Sequence, residues 1–448
     1  MQYEDGEFDM VKCIRNAGVL LICLFMLVSL AACESGTQGD NRLLARVVTV
    51  NAKALEAPAY GKQDTRVGAT ANGANDFAFR LSAALMENVG SENFVCSPYS
   101  VWLPLAALVN AMDAKDRGTL LSALGASGIA ESDVNRAASR MLYDLMKLRD
   151  KENPEFYHNP LQIANAIFVG LDVTLRNDFA QTFMDYYRGS SINVDFTSRV
   201  AVDAVNQWAS ENTEGLIDNL IQEFDPETVA VIANAIYFSD RWQWEFDPDQ
   251  TTEDTFHAPA GDTTAFYMLR EGNSQDYYED NRVQAMPLRF KTGGCMYIIL
   301  PKTGDAVQLL SSMTNDYFDE IQTNSISATG KLLLPRFSIE NEINGLKEAL
   351  ELLGVPLFDR NSAPLTGGLI EEDIPVWLSG AIQKAVIHVD EEGTTAAAVT
   401  ILPAPGAMPP QPTEPFEMNC NRPFVFILCE RTYDGGNQIL FTGVVNQP

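Results

Sequence analysis

The chain has 448 residues, of which 46% are hydrophobic and 20% charged, and its formal net charge is −29. This apolar fraction excludes a disordered chain, and the length allows one large domain or two to three average ones. So acidic a chain disfavours nucleic-acid binding and charge-driven adhesion to anionic membranes. The three histidines, His158, His257 and His388, lie far apart, which disfavours His-rich metal sites and His-dependent catalytic triads.

The N-terminus resembles an export signal. Residues 17–33 form an uncharged apolar run after Lys12 and Arg15, and the run is shorter than the ~20 residues of a spanning helix. It ends in LAAC, which resembles a bacterial lipobox, so we expect Cys33 to be lipidated and to become the first residue. A plain signal peptide or an N-terminal anchor helix is the alternative. The acidic stretch before Met10 is atypical of a signal, so translation is expected to start at Met10.

A polar region follows the signal. Residues 1–33 hold four acidic and two basic residues, so the mature chain keeps a formal charge of −27. Residues 34–74 are rich in Ala, Gly and Thr and have no apolar periodicity, which predicts a flexible tether with a reach of roughly 35 Å. A frayed terminus without a role is the alternative. The folded domain is expected to span residues 75–448.

Helical and strand-like patterns alternate irregularly through that domain. Apolar stripes predict helices over residues 76–88, 201–217 and 342–353. Short runs rich in β-branched and aromatic residues predict strands over 228–238, 295–300, 331–334, 423–429 and 438–445. Because the order lacks a regular βαβ alternation, the patterns favour an α+β fold with large sheets.

The cysteines and the absent motifs narrow the function. Cys13 and Cys23 leave with the signal, and four cysteines remain in the domain: Cys96, Cys295, Cys420 and Cys429. They are too few for a disulfide scaffold, and three lie in apolar strand-like runs, so they are interpreted as small core residues with the disulfide question left open. No dinucleotide, P-loop, zincin or nucleophile-elbow motif occurs, so no cofactor and no metal are expected.

One segment near the C-terminus lacks these helical and strand-like patterns. Residues 390–423 lie between two strand-like runs, and seven of the 22 prolines fall between Pro403 and Pro423. Irregular stretches of this length within a domain are usually functional or disordered. A proline-rich linker or polyproline ligand is the alternative, but the core-like strands that follow disfavour it.

The first half of this segment is compatible with burial as a strand. From Thr394, every second residue up to Gly406 is uncharged, and all of these but Leu402 are small. Because side chains alternate between the two faces of a sheet, such a strand is able to turn one face into a core. A segment selected only for solubility would carry charges at these positions.

This segment, EEGTTAAAVT from Glu391, resembles the reactive-loop hinge of serpins, a family of conformational protease inhibitors. Further blocks resemble serpin motifs and occur in the family's order: 93–101, 205–221, 232–248, 334–355 and 421–448. The resemblance covers about residues 75–448. It implies a serpin fold of the α+β class, with three β-sheets, about nine helices and an exposed reactive loop near the C-terminus.

The resemblance implies a suicide-substrate mechanism, in which this chain supplies no catalytic residue. A serine protease attacks the loop and forms an acyl-enzyme, and it is distorted when the cleaved loop inserts into the main sheet. Family spacing assigns the reactive bond to Ala407–Met408, where the small residue before the cut suits an elastase-like protease. The hinge then comprises eight residues: Glu391, Glu392, Gly393, Thr394, Thr395, Ala396, Ala397 and Ala398.

The resemblance also assigns residues around the main sheet. Ser97, Ser100 and Asn234 correspond to the shutter, where the sheet opens, and Trp242 corresponds to the breach, where insertion begins. Gln383 stands where serpins often have a shutter histidine. An amide still donates and accepts hydrogen bonds, but pH-dependent opening through that position is lost.

Two prolines depart from the family pattern. Pro403 and Pro405 have no N–H for a sheet ladder, which puts full insertion past Leu402 in question. Both are expected on the face that points outward, which reduces the conflict.

The expected partner is an elastase-like serine protease held in a covalent complex. The protein is expected to be an extracytoplasmic monomer, anchored to the membrane through Cys33, with no nucleic-acid partner. A non-inhibitory serpin that serves as a binding protein or sacrificial substrate, or an inhibitor of cysteine proteases, is the alternative. An acidic secreted hydrolase would need a nucleophile and a base that the sequence does not offer.

Overall fold

The computed structural model describes residues 65–87, 89–146, 160–224, 228–394, 414–432 and 436–448. Several sequence expectations fall outside these ranges. They are the signal with Cys33, the tether up to residue 64, the hinge residues Thr395, Ala396, Ala397 and Ala398, and the segment with Pro403, Pro405, Ala407 and Met408. All described residues belong to the unit Ala45–Pro448.

Nine α-helices occur among the described residues, which agrees with the predicted α+β class. In chain order they are α1 Thr65–Met86, α2 Pro98–Leu108, α3 Ala114–Ala123, α4 Glu131–Leu145, α5 Asn177–Tyr187, α6 Arg199–Asn212, α7 Ala306–Ser311, α8 Asn315–Thr323 and α9 Leu346–Leu352. Within the same ranges, no helix is long and apolar enough to cross a membrane.

The first helix corrects the predicted start of the domain. α1 begins at Thr65, so residues 65–74 are helical and do not belong to the tether. Tertiary packing explains the difference, because Thr70, Gly73 and Ala74 are buried. A Cβ on Gly73 would lie 2.2 Å from the Gly125 carbonyl oxygen, so the helix backbone lies directly against another segment. Local composition does not report such a contact.

Sixteen strands are described. They are β1 Phe94–Cys96, β2 Leu161–Gly170, β3 Gly189–Val194, β4 Ala230–Phe238, β5 Asp240–Arg241, β6 Thr252–Ala258, β7 Gly261–Glu279, β8 Val283–Arg289, β9 Cys295–Pro301, β10 Ile326–Pro335, β11 Phe337–Glu342, β12 Lys384–Val389, β13 Gly393–Thr394, β14 Phe416–Asn419, β15 Phe424–Arg431 and β16 Asn437–Val445.

These strands form four hydrogen-bonded groups. The largest has nine strands in the order β1-β16-β15-β9-β8-β7-β10-β14, with β6 beside β7, because the long β7 contributes to two parts of it. The second group has the order β3-β2-β4 and the third pairs β11 with β12. The fourth pairs β13 with β5. The main apolar core lies between the nine-stranded group, α1 and α2.

The predicted elements agree with the structure in type and differ at their ends. The helix predicted over 201–217 ends at Asn212, and Gly215 follows with a φ of 81°. The helix predicted over 342–353 begins only at Leu346, because Gly345 before it has a φ of 77°. All five predicted strands occur. Within the described residues, Cys96, Cys295, Cys420 and Cys429 are buried free thiols, as a core role predicts.

Candidate functional site: the gap between β4 and β12

The two small sheets face each other across a gap. β4 is an edge strand of its three-stranded sheet, and β12 is an edge of its pair. Among the described residues, no ladder joins β4 to β12. Ile236 and Phe238 of β4 and Ile387 of β12 nevertheless line one shared cavity. We call this space the sheet gap. An edge strand presents unpaired backbone N–H and C=O groups, so the gap is suited to receive another strand.

The hinge closes the upper end of the sheet gap. β12 leads into a tight turn over residues 390–393, in which the Asp390 N–H donates to the Gly393 carbonyl oxygen at 3.1 Å. The Asp390 carboxylate accepts from the N–H groups of Glu392, at 2.9 Å, and Gly393, at 3.1 Å. Thr394 then pairs with Asp240 of β5, and only 2% of its surface is exposed. The chain therefore enters the gap before it leaves the described residues.

Glycine is required at the point of entry. Gly393 has a φ of 157°, and a Cβ there would lie 2.2 Å from the Asp240 carbonyl oxygen. Asp240 is itself buried and accepts from the Thr292 N–H at 3.1 Å as well as from the Thr292 hydroxyl. The strand that receives the hinge is thus held by the 290–294 turn. Larger residues at position 393 would force β13 away from β5.

Trp242 contacts the turn over residues 390–393 through its side chain and its backbone. Its side chain is fully buried and stacks on Phe290, with ring centroids 4.6 Å apart. The indole Nε1–H donates to the Asp390 carbonyl oxygen at 2.9 Å, and the Trp242 N–H donates to the Glu392 carbonyl oxygen at 2.8 Å. Trp242 therefore contacts the hinge turn through its indole and through its backbone, and its assignment to the breach stays a prediction.

A buried carboxylate anchors the hinge to a second element. Glu391 Oε1 accepts from Arg336 Nε at 2.8 Å, Arg336 Nη2 at 2.6 Å and the Thr251 hydroxyl at 2.5 Å. Burial by itself would raise the pKa of the Glu391 carboxyl, but the hydrogen bonds from Arg336 and Thr251 outweigh it and hold that pKa below its ordinary value. Glu391 is thus ionised near neutral pH and fixes the hinge to the β10–β11 junction.

Glu392 faces a different partner. Its carboxylate lies 3.7 Å from Arg241, which also pairs with Glu245 at 2.9 Å. Lys291 reaches Glu245 at 2.8 Å. Glu392 is partly exposed, so this surface network contributes less than the Glu391 cluster.

The residues that the resemblance assigns to the shutter lie at the lower part of the gap. The Ser97 N–H donates to Gln383 Oε1 at 3.0 Å, and Gln383 Nε2 donates to the Ser97 carbonyl oxygen at 2.8 Å. The Ser97 hydroxyl donates to the Leu440 carbonyl oxygen at 2.8 Å and also accepts from the Ser100 N–H at the start of α2. The amide of Gln383 therefore ties the entry to β12 directly to the entry to α2.

Asn234 is not part of that hydrogen-bond pair. Its Nδ2 donates sideways to Asn165 Oδ1 on β2 at 2.7 Å. Its buried Oδ1 has no hydrogen-bond partner among the described residues. Ser100, Asn234 and Gln383 nevertheless line the same cavity, so the structure brings three shutter residues to one space without linking them directly.

Sequence reasoning missed three residues of the site. Arg336, Thr251 and Asp240 hold the hinge, but each lies more than 50 positions from it. Arg336 follows Pro335 at the end of an apolar strand, and this order was the only local indication that its side chain leaves the sheet at a turn. The contact itself depends on the register of distant strands.

The fold and the gap agree with comparisons to known proteins. A family model described as Serpin (serine protease inhibitor) matches residues 72–448. The chain belongs to the serpin family. Antichymotrypsin-2 of Bombyx mori is 31% identical over 383 residues, which cover 83% of this chain and 96% of that protein. Alpha-1-antiproteinase of Rattus norvegicus is 28% identical over 399 residues, covering 88% and 91%.

A solved serpin structure has the same architecture. Tengpin, a thermophilic serpin in its native state, superposes with a TM-score of 0.76 at 25% identity, over 90% of this chain and all of the tengpin chain. Membership of a family of serine protease inhibitors assigns the general activity, and it indicates a protease as the partner.

Proposed function

We propose that this serpin inhibits elastase-like serine proteases by inserting its cleaved loop into the sheet gap. The observation that carries the proposal is the hinge, where Gly393 and Thr394 already pair with β5 at the upper end of a gap between two unpaired strand edges. Extension of this pairing past Thr394 would convert the two small sheets into one. Serpin loop insertion is a known case of such strand addition.

The pairing at the hinge fixes a register for insertion. Gly393 opposes Arg241 and Thr394 opposes Asp240 in antiparallel order. Continued along β4, this register sets Ala396 opposite Phe238 and Ala398 opposite Ile236. The same alternation would turn Thr394, Ala396 and Ala398 toward the main core. None of these side chains is charged or large, so the upper gap admits them without burying a charge.

This proposed register would also reduce the conflict over the two prolines. The Trp242 N–H donates to the Glu392 carbonyl oxygen on the β4 side, and the Asp390 N–H donates to the Gly393 carbonyl oxygen on the β12 side. Because the residues that bond to one neighbouring strand alternate along an antiparallel strand, even-numbered loop residues would bond to β4 and odd-numbered ones to β12. Pro403 and Pro405 are odd-numbered. In the hairpin register Lys384, the first residue of β12, opposes residue 399, so both prolines would lie beyond its end. A missing N–H has no ladder partner to lose there.

The reaction consumes the loop as a substrate. The protease serine attacks the Ala407 carbonyl carbon, the Ala407–Met408 bond breaks, and the Met408 amine leaves with a proton while the acyl group stays on the protease. Insertion then competes with hydrolysis of that ester. The small Ala407 suits the narrow specificity pocket of an elastase-like enzyme, and relatives named antichymotrypsin and antiproteinase support inhibition of serine proteases.

The proposed setting is the outer side of a membrane. The lipobox-like LAAC would give a lipid on Cys33, and residues 34–64 would connect this anchor to α1. A monomeric inhibitor held there would protect the cell envelope from secreted proteases. Metabolic labelling with a palmitate analogue, compared between the wild type and Cys33→Ala, tests the anchor; labelling that persists in Cys33→Ala would exclude it.

Incubation with pancreatic elastase tests the inhibitory function. We expect a covalent complex that survives SDS and a released C-terminal fragment that begins at Met408. Cleavage without a complex would support a sacrificial substrate or a non-inhibitory serpin. A complex with papain and none with elastase would move the target class to cysteine proteases. A fragment that begins well outside residues 405–410 would refute the assigned bond.

A further inference from the structure

Two of the buried cysteines lie directly opposite each other in the nine-stranded group. Cys295 is the first residue of β9, Cys429 lies near the end of β15, and the antiparallel ladder between these strands pairs the two residues. Directly opposed residues of an antiparallel pair share a face, and their Cα atoms lie about 4.5–5.5 Å apart. A disulfide requires Cα atoms about 4.4–6.8 Å apart, so the register alone brings this pair within reach of a bond.

The side chain of Cys429 already reaches across to Cys295. Its thiol donates to the Cys295 carbonyl oxygen at 3.5 Å, and both residues are buried in the core. Opposed residues have Cβ atoms about 4.5–5.5 Å apart, whereas the Cβ atoms of a disulfide lie about 3.8 Å apart. Closure of the bond therefore needs a rotation of the two side chains and an approach of the strands by roughly 1 Å.

The position of the pair allows that approach. Cys295 and Cys429 form the last pair of the ladder between β9 and β15. On the other side of β15, the register with β16 shifts between Leu428 and Cys429. Just before Cys295, the chain passes through a turn in which Gly293 has a φ of 109°. Because bulges and turns interrupt the regular ladder, this end of the two strands is able to shift while the pairs farther along stay in place.

The other two cysteines of the domain do not form such a pair. Cys96 on β1 opposes Thr442 of β16. Cys420 directly follows β14, and its N–H donates to the Leu333 carbonyl oxygen at 2.9 Å. Neither lies opposite a cysteine in any ladder of the described residues. A need for small core side chains is met by a cysteine at any buried position, so it does not account for two cysteines at one paired position.

The pair also lies on both sides of the proposed reactive bond. Cys295 precedes the loop in the sequence and Cys429 follows it. Cleavage of Ala407–Met408 would therefore leave one cysteine in each product. The smaller product, residues 408–448, contains β14, β15 and β16. A bond between the two cysteines would keep these strands attached to the rest of the protein.

We propose that Cys295 and Cys429 form a disulfide, which keeps the C-terminal fragment covalently attached after the loop is cleaved. The Sγ–Sγ bond forms as both thiols are oxidised. Their two electrons and two protons pass to an oxidant that itself carries a disulfide, either a thiol oxidase of the cell envelope or a low-molecular-weight disulfide, which is reduced to two thiols. The inference rests on the extracytoplasmic setting of the proposed function, because structural disulfides persist in oxidising compartments.

Burial places the formation of this bond before the completion of folding. In the folded protein, burial raises the pKa of the Cys295 thiol to about 12 and raises that of Cys429 as well. The reactive species is the thiolate, so the buried pair would exchange slowly with an oxidant or a reductant. The bond would therefore form while β9 and β15 are still accessible, and the core would afterwards protect it from reduction.

Elastase cleavage of the full chain, followed by SDS electrophoresis with and without dithiothreitol, tests the disulfide. The chain is isolated from the envelope, and its free thiols are blocked with N-ethylmaleimide under denaturing conditions. Without reductant, residues 408–448 should stay attached, and with dithiothreitol they should be released completely. A peptide map should show Cys295 and Cys429 in one linked pair, lighter by two hydrogens than its separate peptides. Among the four cysteines of the domain, Cys96 and Cys420 alone should carry N-ethylmaleimide.

Single cysteine variants provide the controls. Cys295→Ala and Cys429→Ala should each release the fragment without reductant. Cys96→Ala is the matched control, because it removes another fully buried thiol, and it should retain the fragment. Retention by Cys295→Ala would refute the pairing, since another bond would then hold the fragment.

The wild-type chain alone is sufficient to refute the proposal. Release of its fragment without reductant, or N-ethylmaleimide on Cys295 and Cys429, would exclude the disulfide even if a variant fails to fold. The reduced lanes of the same gel report the covalent complex with elastase, and the unreduced lanes report the attached fragment. Failure of the proposed inhibition and failure of the disulfide are therefore observed separately, and the peptide map requires no cleavage of the loop.

Discussion

The two ends of the sheet gap are built from opposite chemistry. At the breach, the hinge is held by the Trp242 indole, the Asp390 turn and the Glu391–Arg336 ion pair. At the shutter, mainly apolar side chains line a cavity of about 320 Å³, together with Ser100, Asn234 and Gln383, and the Ser97–Gln383 pair links β12 directly to α2. Under the proposed insertion, directional bonds would fix where a strand enters, and nondirectional burial would stabilise the strand once it is in place.

Under the proposed mechanism, this difference would keep the sheet from closing before the loop is cleaved. A polar clamp defines one register and one entry point, because each hydrogen bond requires a particular partner at a particular distance. The apolar end requires no particular partner, and it would stabilise a strand only after that strand has reached it. The following experiments test whether the two ends act in this way, from the largest expected effect to the smallest.

A charge at the start of the inserted strand should have the largest effect. Thr394 is 2% exposed and lines the cavity that β4 and β12 share, so Thr394→Arg would bury an unpaired guanidinium. Insertion should slow by at least about tenfold, since each 1.4 kcal/mol of barrier is a factor of ten. We expect cleavage to replace complex formation when elastase is titrated and the products are separated by SDS electrophoresis.

The neighbouring residue provides the control for this prediction. Thr395 is expected on the opposite face of the inserted strand, so Thr395→Arg keeps its charge near solvent and should retain complex formation. Equal loss in both variants would contradict the alternation. Full inhibition by Thr394→Arg would show that a charge at position 394 does not impede insertion.

Loss of the breach ion pair should destabilise the uncleaved protein. Arg336→Ala leaves the buried Glu391 carboxylate without its cation, and we expect the free energy of unfolding in urea to fall by about 2 kcal/mol. The value is below that of a fully buried pair because Arg336 is 46% exposed. Arg199→Ala, which breaks the exposed pair with Asp203, should cost less than about 0.5 kcal/mol. A similar loss of unfolding free energy in the two variants would show that the Arg336–Glu391 pair stabilises the protein no more than an exposed ion pair does.

At the shutter, Gln383→Ala should cost about 1–2 kcal/mol. The variant leaves the Ser97 N–H and carbonyl oxygen without their side-chain partner in a buried position. Gln383→Met removes the hydrogen bonds and keeps the volume, so it separates the polar contribution from packing. If Gln383→Met unfolds at the wild-type urea concentration, the side chain at position 383 stabilises the protein through its volume and not through its hydrogen bonds to Ser97.

Some features of the gap can be predicted from the sequence and others cannot. Strand periodicity is local and visible in the residues themselves, so the long apolar runs predicted β4, β9, β15 and β16. The alternation after Thr394 indicates a strand-compatible segment in the same way, but it lies outside the described residues and stays a prediction. The family motifs single out Trp242, Ser97 and Gln383, whose assignment to the breach and the shutter stays a prediction. These features depend on short stretches of sequence.

The remaining features depend on contacts between distant segments. Arg336 lies 55 positions from Glu391, and no periodicity links them. α1 starts at Thr65 because Gly73 packs on the Gly125 backbone, a contact that Ala- and Gly-rich composition does not reveal. The volume of the cavity beside Ser100, Asn234 and Gln383 depends on five elements at once: α2, α6, β4, α9 and the start of β12. Such properties follow from tertiary register, so they became visible only in the structure.

The smallest expected effect is a pH dependence that belongs to the breach alone. The pKa of Glu391 is held below its ordinary value of 4.5, so between these two pKa values the unfolded chain binds more protons than the folded one. Stability from this group is complete above about pH 4.5 and is lost as the pH falls through the lower folded pKa. Below pH 4.5, the free energy of unfolding of the wild type should therefore decrease more steeply than that of Glu391→Gln. Gln383→Met changes no titrating group and should follow the wild-type slope, so the pH dependence distinguishes the polar end of the gap from its apolar end. Parallel slopes for wild type and Glu391→Gln would mean that the carboxylate contributes no charge-dependent stability to the hinge.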